Sequence, residues 1–233
     1  MAGPVEGRGA ATTVRPLGRA EATFGADSSS RSHRHGTSAL AAVSATSPAV
    51  AVEPLTEELW PALLDLFGRG GASNGCWCMY WVLGPEYHKR PRSQNEQALR
   101  HAAVDGPAPG LLALDADGTA LGWCRLTPRA ALPWLNTKKD LAPVDDLPVW
   151  SIPCFYVRGR ARGQRVMTAL IEAAVEQARV AAAPAVEAYP IDTSVAGATR
   201  NRFPGTARAF ERAGFRVVAR RAPDRPIMRY SFT

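Results

Sequence analysis

The chain has 233 residues, 46% of them hydrophobic, and carries a formal net charge of +7. That length suffices for one domain with a real core, alone or with a tail, and the composition fits a globular chain. No apolar run approaches the ~20 residues that span a bilayer, so a membrane-spanning protein is not expected.

Residues 1–49 are rich in Ala, Gly, Ser, Thr and Arg, with Phe24 as their one aromatic. Such a segment cannot bury enough apolar surface to offset its chain entropy, and a disordered tail is expected there. An Arg- and Ser-containing leader also fits an organellar transit peptide, against which Glu6, Glu21 and Asp27 count, and a start assigned too far upstream is a third reading. Nothing at the N-terminus has the apolar core of a secretory signal. The four cysteines, Cys76, Cys78, Cys124 and Cys154, therefore read as buried free thiols in a reducing cytoplasm. Cys76-Trp77-Cys78 lacks the spacing of a zinc knuckle or a redox pair, and no metal is expected.

Order is expected over residues 50–233. A short strand at 49–52 precedes a helix capped by Thr56, with Glu57 and Glu58 in its first turn, running to Phe67. Glycines from 68 to 75 end it. The run from Cys76 to Trp81 follows, and its aromatic walls suit flat apolar or cationic ligands. Trp77, Tyr80 and Trp81 are thus candidate acceptor-binding residues; a packed lid over a sheet is the alternative. A second helix is expected at 93–103. Apolar runs at 111–114 and 120–126 flank Asp115-Ala-Asp-Gly118 and read as a hairpin. The polar excursion from Pro128 to Pro148 is long for a connection and is a candidate for substrate contacts. A central strand at 149–157 leads to a helix at 164–181 with Val166, Leu170, Ala174 and Ala178 on one face. Strands alternating with helices argue for an α/β fold with a mixed sheet.

Between that strand and helix lies Arg158-Gly-Arg-Ala-Arg-Gly-Gln-Arg165. Loop glycines let backbone approach an anion, the first N–H groups of a helix point at it, and guanidinium groups supply countercharge. This combination suits a pyrophosphate. A second arginine group, Arg216, Arg220, Arg221, Arg225 and Arg229, lies near the C-terminus and reads as an anion surface or a solvated basic face. No nucleic-acid motif accompanies either group, so nucleic acid is the least favoured partner.

The loop resembles the acetyl-CoA-binding segment of the GNAT acetyltransferase superfamily, Arg/Gln-x-x-Gly-x-Gly/Ala after a strand. The register that places the loop arginine at Arg162 turns Leu170 and Ile171 inward. It departs from the pattern at Arg165, in place of a glycine, and at Met167, in place of a small residue. Residues 186–192 resemble the family's next strand, residues 205–215 its closing helix ending in Gly-Phe, and residues 226–232 its last strand. The resemblance implies a mixed, mostly antiparallel central sheet flanked by helices. It also implies acetyl-CoA as co-substrate, held by Tyr156, Val157, Arg162, Gly163, Gln164, Arg165, Val166, Met167 and Thr168. The Cys-Trp-Cys run also resembles one found in a group of bacterial GNAT proteins, which names no substrate.

Acetyl transfer to an amine needs a base for the ammonium proton, a donor for the oxyanion and an acid for the departing thiolate. Glu187 and Asp192 are the candidate bases. A strand's period of two puts Glu187 and Tyr189 on the same side, which makes Tyr189 the first candidate acid and Tyr156 or Cys154 the second. Phe210 stands where the family commonly has the tyrosine acid. His88 and His101 are further candidate bases, but His88 sits in a basic surface-like run. The expected function is N-acetylation of a small primary amine by direct attack in a ternary complex. The rivals are a non-catalytic acyl-CoA-binding protein, motivated by Arg165 and Phe210, and a basic nucleic-acid-binding module. The sequence sets no oligomeric state.

Overall fold

The computed structural model describes residues 50–198 and 201–232, and the tail expected at 1–49 lies outside them. In chain order the strands are β1 (Ala51–Pro54), β2 (Gly110–Leu114), β3 (Ala120–Arg125), β4 (Thr127–Pro128), β5 (Trp150–Ile152), β6 (Phe155–Val157), β7 (Ala185–Ala188), β8 (Arg216–Ala222) and β9 (Arg225–Ser231). The helices are α1 (Trp60–Phe67), α2 (Tyr80–Leu83), α3 (Glu86–Lys89), α4 (Arg92–Val104), α5 (Pro133–Asn136), α6 (Val166–Val180) and α7 (Ala207–Arg212). One sheet runs β1-β2-β3-β6 and is antiparallel throughout. The other runs β4-β5-β7-β9-β8, with a single parallel pairing between β5 and β7.

The central strand expected at 149–157 is broken, and the break places it in both sheets. β5 pairs with β7 as far as Ile152 opposite Ala188. The next residue on one strand is Pro153, and two residues beyond the other strand's end comes Pro190. Proline has no N–H to give a ladder, so the pairing stops. Past the break the Cys154 carbonyl accepts from Arg125 N–H (3.1 Å) and β6 joins β3. Residues 203–206 enter the opening on the other side. Phe155 N–H donates to the Phe203 carbonyl (2.6 Å), Ile191 N–H to Gly205 (3.0 Å), and Ala207 N–H to Ile191 (2.9 Å). β6 pairs with β3 alone and is the edge of its sheet.

The first sheet is covered on both faces, and β2 (Gly-Leu-Leu-Ala-Leu) is buried at every position. Leu111 and Ala113 pack toward α6 and the second sheet; Leu112 and Leu114 pack toward α1 and α4 with Trp60, Leu63, Phe67 and Leu99. That is why this strand reads as a continuous apolar run rather than an alternating one. Among the expected boundaries, α1 begins at Trp60 rather than after Thr56, because Pro61 suits the first helical turn and no side chain caps the helix. The C-terminal arginines divide between β8 and β9, a hairpin of which only the second strand was expected.

Helix α6 lies directly on β3 at Gly122, where a Cβ would come within 2.7 Å of Val166 Cγ1 and 3.2 Å of Leu170 Cδ1. Gly122→Ala should therefore cost about 1–3 kcal/mol, as overpacking does. A urea titration checks this, and an unchanged midpoint would mean that α6 shifts freely on the sheet.

Candidate active site

Beside β6, the loop and the start of α6 enclose a cavity of about 680 Å³. Tyr156, Val157, Arg162, Gly163, Arg165, Val166, Met167 and Thr168 all line it. Gln164 does not; its amide donates to the Arg160 carbonyl (2.9 Å) and braces the loop from outside. Gly163 has φ 81° and Arg165 φ 63°, both left-handed. Arg165 immediately precedes α6, no side chain caps the helix, and Ala169 is the first residue whose N–H bonds back, to the Arg165 carbonyl (3.0 Å). The earlier amides of Val166, Met167 and Thr168 thus lack intrahelical partners, as at any helix start. Arg202 and Arg212, unmarked in the sequence reading, add their side chains to the wall. None of Arg162, Arg165, Arg202 and Arg212 has an ion-pair partner among the described residues. Four uncompensated guanidinium groups around an open helix start make an anion site.

A second cavity, of about 330 Å³, shares Phe155, Tyr156, Asn201 and Phe203 with the first. Of the candidate acceptor-binding residues, Tyr80 and Trp81 line it and Trp77 does not. Trp77 is buried, stacked on Trp60 (6.1 Å between centroids) and tilted against Phe67 (5.6 Å). Trp77 and Cys78 have φ of 45° and 56°. The chain turns there, the indole goes into the core, and Cys76 and Cys78 line the cavity instead. Cys154 lines it from the strand break. Among the lining residues there is no carboxylate and no histidine, and the one charged group is Arg225. Its Nε donates to the Tyr189 carbonyl (3.3 Å) and its guanidinium lies 5.3 Å from the Trp81 ring centre.

The thiols are electrostatically unequal. A hydrogen bond with the Cys154 thiol, the nearby Arg125 guanidinium and Trp123 Nε1–H (3.2 Å to Sγ) hold Cys78 below the ordinary thiol range despite its burial. The bond to Cys78, with burial and the charge on Cys78, pushes Cys154 up. Burial pushes Cys76 up to about 11.

Glu187, Tyr189 and Asp192, the expected catalytic set, line neither cavity. Glu187 is buried in an ionic network. Its Oε2 accepts from Arg129 Nη1 (3.1 Å) and Tyr189 OH (3.2 Å), and its Oε1 from Arg229 Nη2 (2.7 Å). Tyr189 is fully buried; Ser151 Oγ (2.8 Å) and Arg129 Nη1 (2.8 Å) complete its bonds, and burial pushes its hydroxyl well above the ordinary range. The same-side geometry read from the sequence is thus present, but it points into the second sheet's core. Asp192 accepts from Ser194 Oγ (2.5 Å) and pairs with Arg220 (3.0 Å), caps a turn, and is held below the usual carboxylate range by Ser194. The 128–148 excursion lines neither cavity either; Leu132, Leu135 and Leu141 pack it against Tyr189 and Ile227. Phe210 is buried against Phe155 and Phe215, so the closing helix offers no acid at that position. His88 and His101 are exposed and line neither cavity.

The described residues thus combine a central strand that parts from its neighbour, an arginine-lined helix start on one side of it and an aromatic cavity on the other. The sequence profile of the acetyltransferase (GNAT) family matches residues 76–200, more than half of the chain, and the chain belongs to that family. Among solved structures it is similar to a mosquito arylalkylamine N-acetyltransferase-like 5b protein, with 9% identity and a TM-score of 0.53 over 79% of this chain and all of that one. A GCN5-related N-acetyltransferase from Kribbella flavida is 19% identical with a TM-score of 0.47, over 78% of this chain and 98% of that one. A polyamine N-acetyltransferase from Drosophila melanogaster is 12% identical with a TM-score of 0.49, over 79% of this chain and all of that one. The mosquito likeness shows the fold. No curated protein matches the chain. Among the described residues, no helix is long and apolar enough to cross a membrane.

Two outcomes follow from this geometry. A left-handed side chain costs about 1–2 kcal/mol, so Arg165→Gly should be more stable than Arg165→Ala by roughly that amount; equal denaturation midpoints would remove the strain argument. Glu187→Ala leaves Arg129 and Arg229 buried without their shared carboxylate and should cost about 3–5 kcal/mol in urea unfolding.

Proposed function

We propose that this protein transfers an acetyl group from acetyl-CoA to a primary amine of a small molecule, by direct attack within a ternary complex. The observation that carries this reading is the meeting of the two cavities at Phe155, Tyr156, Asn201 and Phe203. A thioester arriving from one side and an amine from the other come together without a covalent relay. The pyrophosphate rests on the open amides of Val166, Met167 and Thr168, with Arg162, Arg165, Arg202 and Arg212 as countercharge. The pantetheine arm runs as an added strand beside the edge strand β6, and an amide of Tyr156 or Val157 faces the developing oxyanion. The function belongs to residues 50–233, and the free thiols suit a reducing, cytoplasmic setting.

The acceptor cavity favours a monoamine with an apolar or aromatic body. Tyr80, Trp81, Tyr87 and Phe67 supply ring faces, and no lining carboxylate is available for a second ammonium. An ammonium in such a cavity is driven toward its neutral form by desolvation. The cavity itself then delivers the nucleophile, and turnover should rise with pH as the free amine does. Tyr156 borders both cavities, which supports its hydroxyl as the acid for the departing thiolate.

Calorimetric titration of the full chain with acetyl-CoA tests the cofactor half. Losing one charge-assisted contact weakens binding about tenfold or more, which is the result expected for Arg162→Ala. No binding by the unmutated protein would overturn the reading. A panel of aryl monoamines against spermidine, followed by CoA release, tests the acceptor half. Tyr156→Phe should lower kcat about 100-fold with little change in acetyl-CoA affinity.

A further inference from the structure

Three cysteines line the acceptor cavity, and the reaction proposed above uses none of them. Two are neighbours: Cys154 packs against the buried cluster that contains Cys78, and the Cys78 sulfur accepts from Trp123 Nε1 (3.2 Å). Arg125, buried and without a carboxylate partner among the described residues, donates Nη1 to the Cys78 carbonyl (3.2 Å). The backbone marks the same place. Trp77 and Cys78 are consecutive non-glycine residues in the left-handed region, a conformation that persists only where its surroundings impose it and that clusters at functional sites. Cys124, by contrast, is fully buried against Leu170 and lines neither cavity.

We propose that Cys78 and Cys154 form a hydroperoxide-sensitive dithiol within the acceptor cavity, which closes to a disulfide on oxidation. The thiolate is the reactive form, and Cys78 is the thiol whose surroundings favour it. The Cys78 sulfur attacks the O–O bond and takes one oxygen as a sulfenic acid. The remainder leaves, with a proton from solvent, as water or an alcohol. Cys154 then attacks that sulfur, the hydroxyl departs with the Cys154 proton as water, and the S–S bond forms. Two electrons leave the cysteine pair and reduce the peroxide.

The order of events follows from the electrostatics. While Cys78 carries charge, its hydrogen bond and its repulsion keep the proton on Cys154. Oxidation neutralises the Cys78 sulfur, and Cys154 is then free to release its proton as it attacks. The cross-link joins the strand break to the turn before α2 across the acceptor cavity, while the cofactor cavity contains no cysteine. Oxidation therefore closes one side of the site and leaves the other open.

The test treats the full chain with hydrogen peroxide, blocks remaining thiols with N-ethylmaleimide, and maps peptides by mass spectrometry without reduction. The expected product has lost two hydrogens, joins Cys78 to Cys154, and reverts with dithiothreitol. Its acetyl-CoA titration matches that of the reduced protein. Cys154→Ser, checked for folding by circular dichroism, should give no cross-link and leave a Cys78 sulfenic acid that dimedone traps. A cross-link between Cys76 and Cys78, four unmodified thiols, or an unchanged product in Cys154→Ser would overturn the proposal, as would loss of acetyl-CoA binding on oxidation alone. Failure of both redox forms to bind acetyl-CoA would sink the cofactor reading and leave the dithiol standing.

Discussion

Where β5 and β7 part, each strand's backbone has to find new partners within two or three residues, and the whole site is arranged around how it does so. Pro153 and Pro190 remove the donors that would have continued the ladder. Past them the central strand swings to β3, and residues 203–207 satisfy the groups left over, Phe155 N–H and both polar groups of Ile191. A buried amide without a partner is costly, so the opening survives only because this segment enters it. That segment supplies Phe203 and follows closely on Asn201, the residues common to both cavities besides Phe155 and Tyr156. One substitution pattern on two strands thus sets the position of the cleft, its edge strand and the wall that divides it.

The second sheet is held differently. Arg129, on the excursion after β4, and Arg229, on β9, converge on the Glu187 carboxylate of β7. Arg129 also reaches Asn136 and Leu141, and Arg229 reaches Asp145, so one buried carboxylate ties the long excursion to the sheet. Burying three charges is costly and their mutual attraction mainly offsets that cost. The network therefore specifies arrangement more than it adds stability. It also explains why Glu187 imitates a catalytic residue in the sequence: an acid beside a tyrosine on a central strand suits a base and a structural ion pair equally well.

Much of the fold was legible. The hairpin, the central strand, the long helix and the anion loop all carry local signatures, either periodicity or turn chemistry. Seven of the nine residues expected around the cofactor beyond β6's own pair cannot be separated from that loop, and all but Gln164 line the cavity. The rest needed three dimensions. Whether Trp77 or Cys78 faces the cavity depends on two left-handed residues that no periodic pattern encodes. Arg202 and Arg212 reach the cofactor cavity from separate segments, and Arg212 looks in sequence like any exposed helical arginine. β8 escaped notice because its side chains are mostly exposed and arginine-rich, so it lacks the buried alternation that announces a strand.

That strand is also the free border of the second sheet, seven residues long, with Val217 and Val218 turned to solvent. An unpaired border of this kind is a template on which another chain can add. Here it carries Arg216, Arg220 and Arg221, and Arg220 and Arg221 bend back to Asp192 and to the carbonyls of Ala142 and Pro143. A second copy approaching edge to edge would bring the same three cations against their counterparts. Like charges along such a border disfavour edge-to-edge pairing, and salt screens that repulsion.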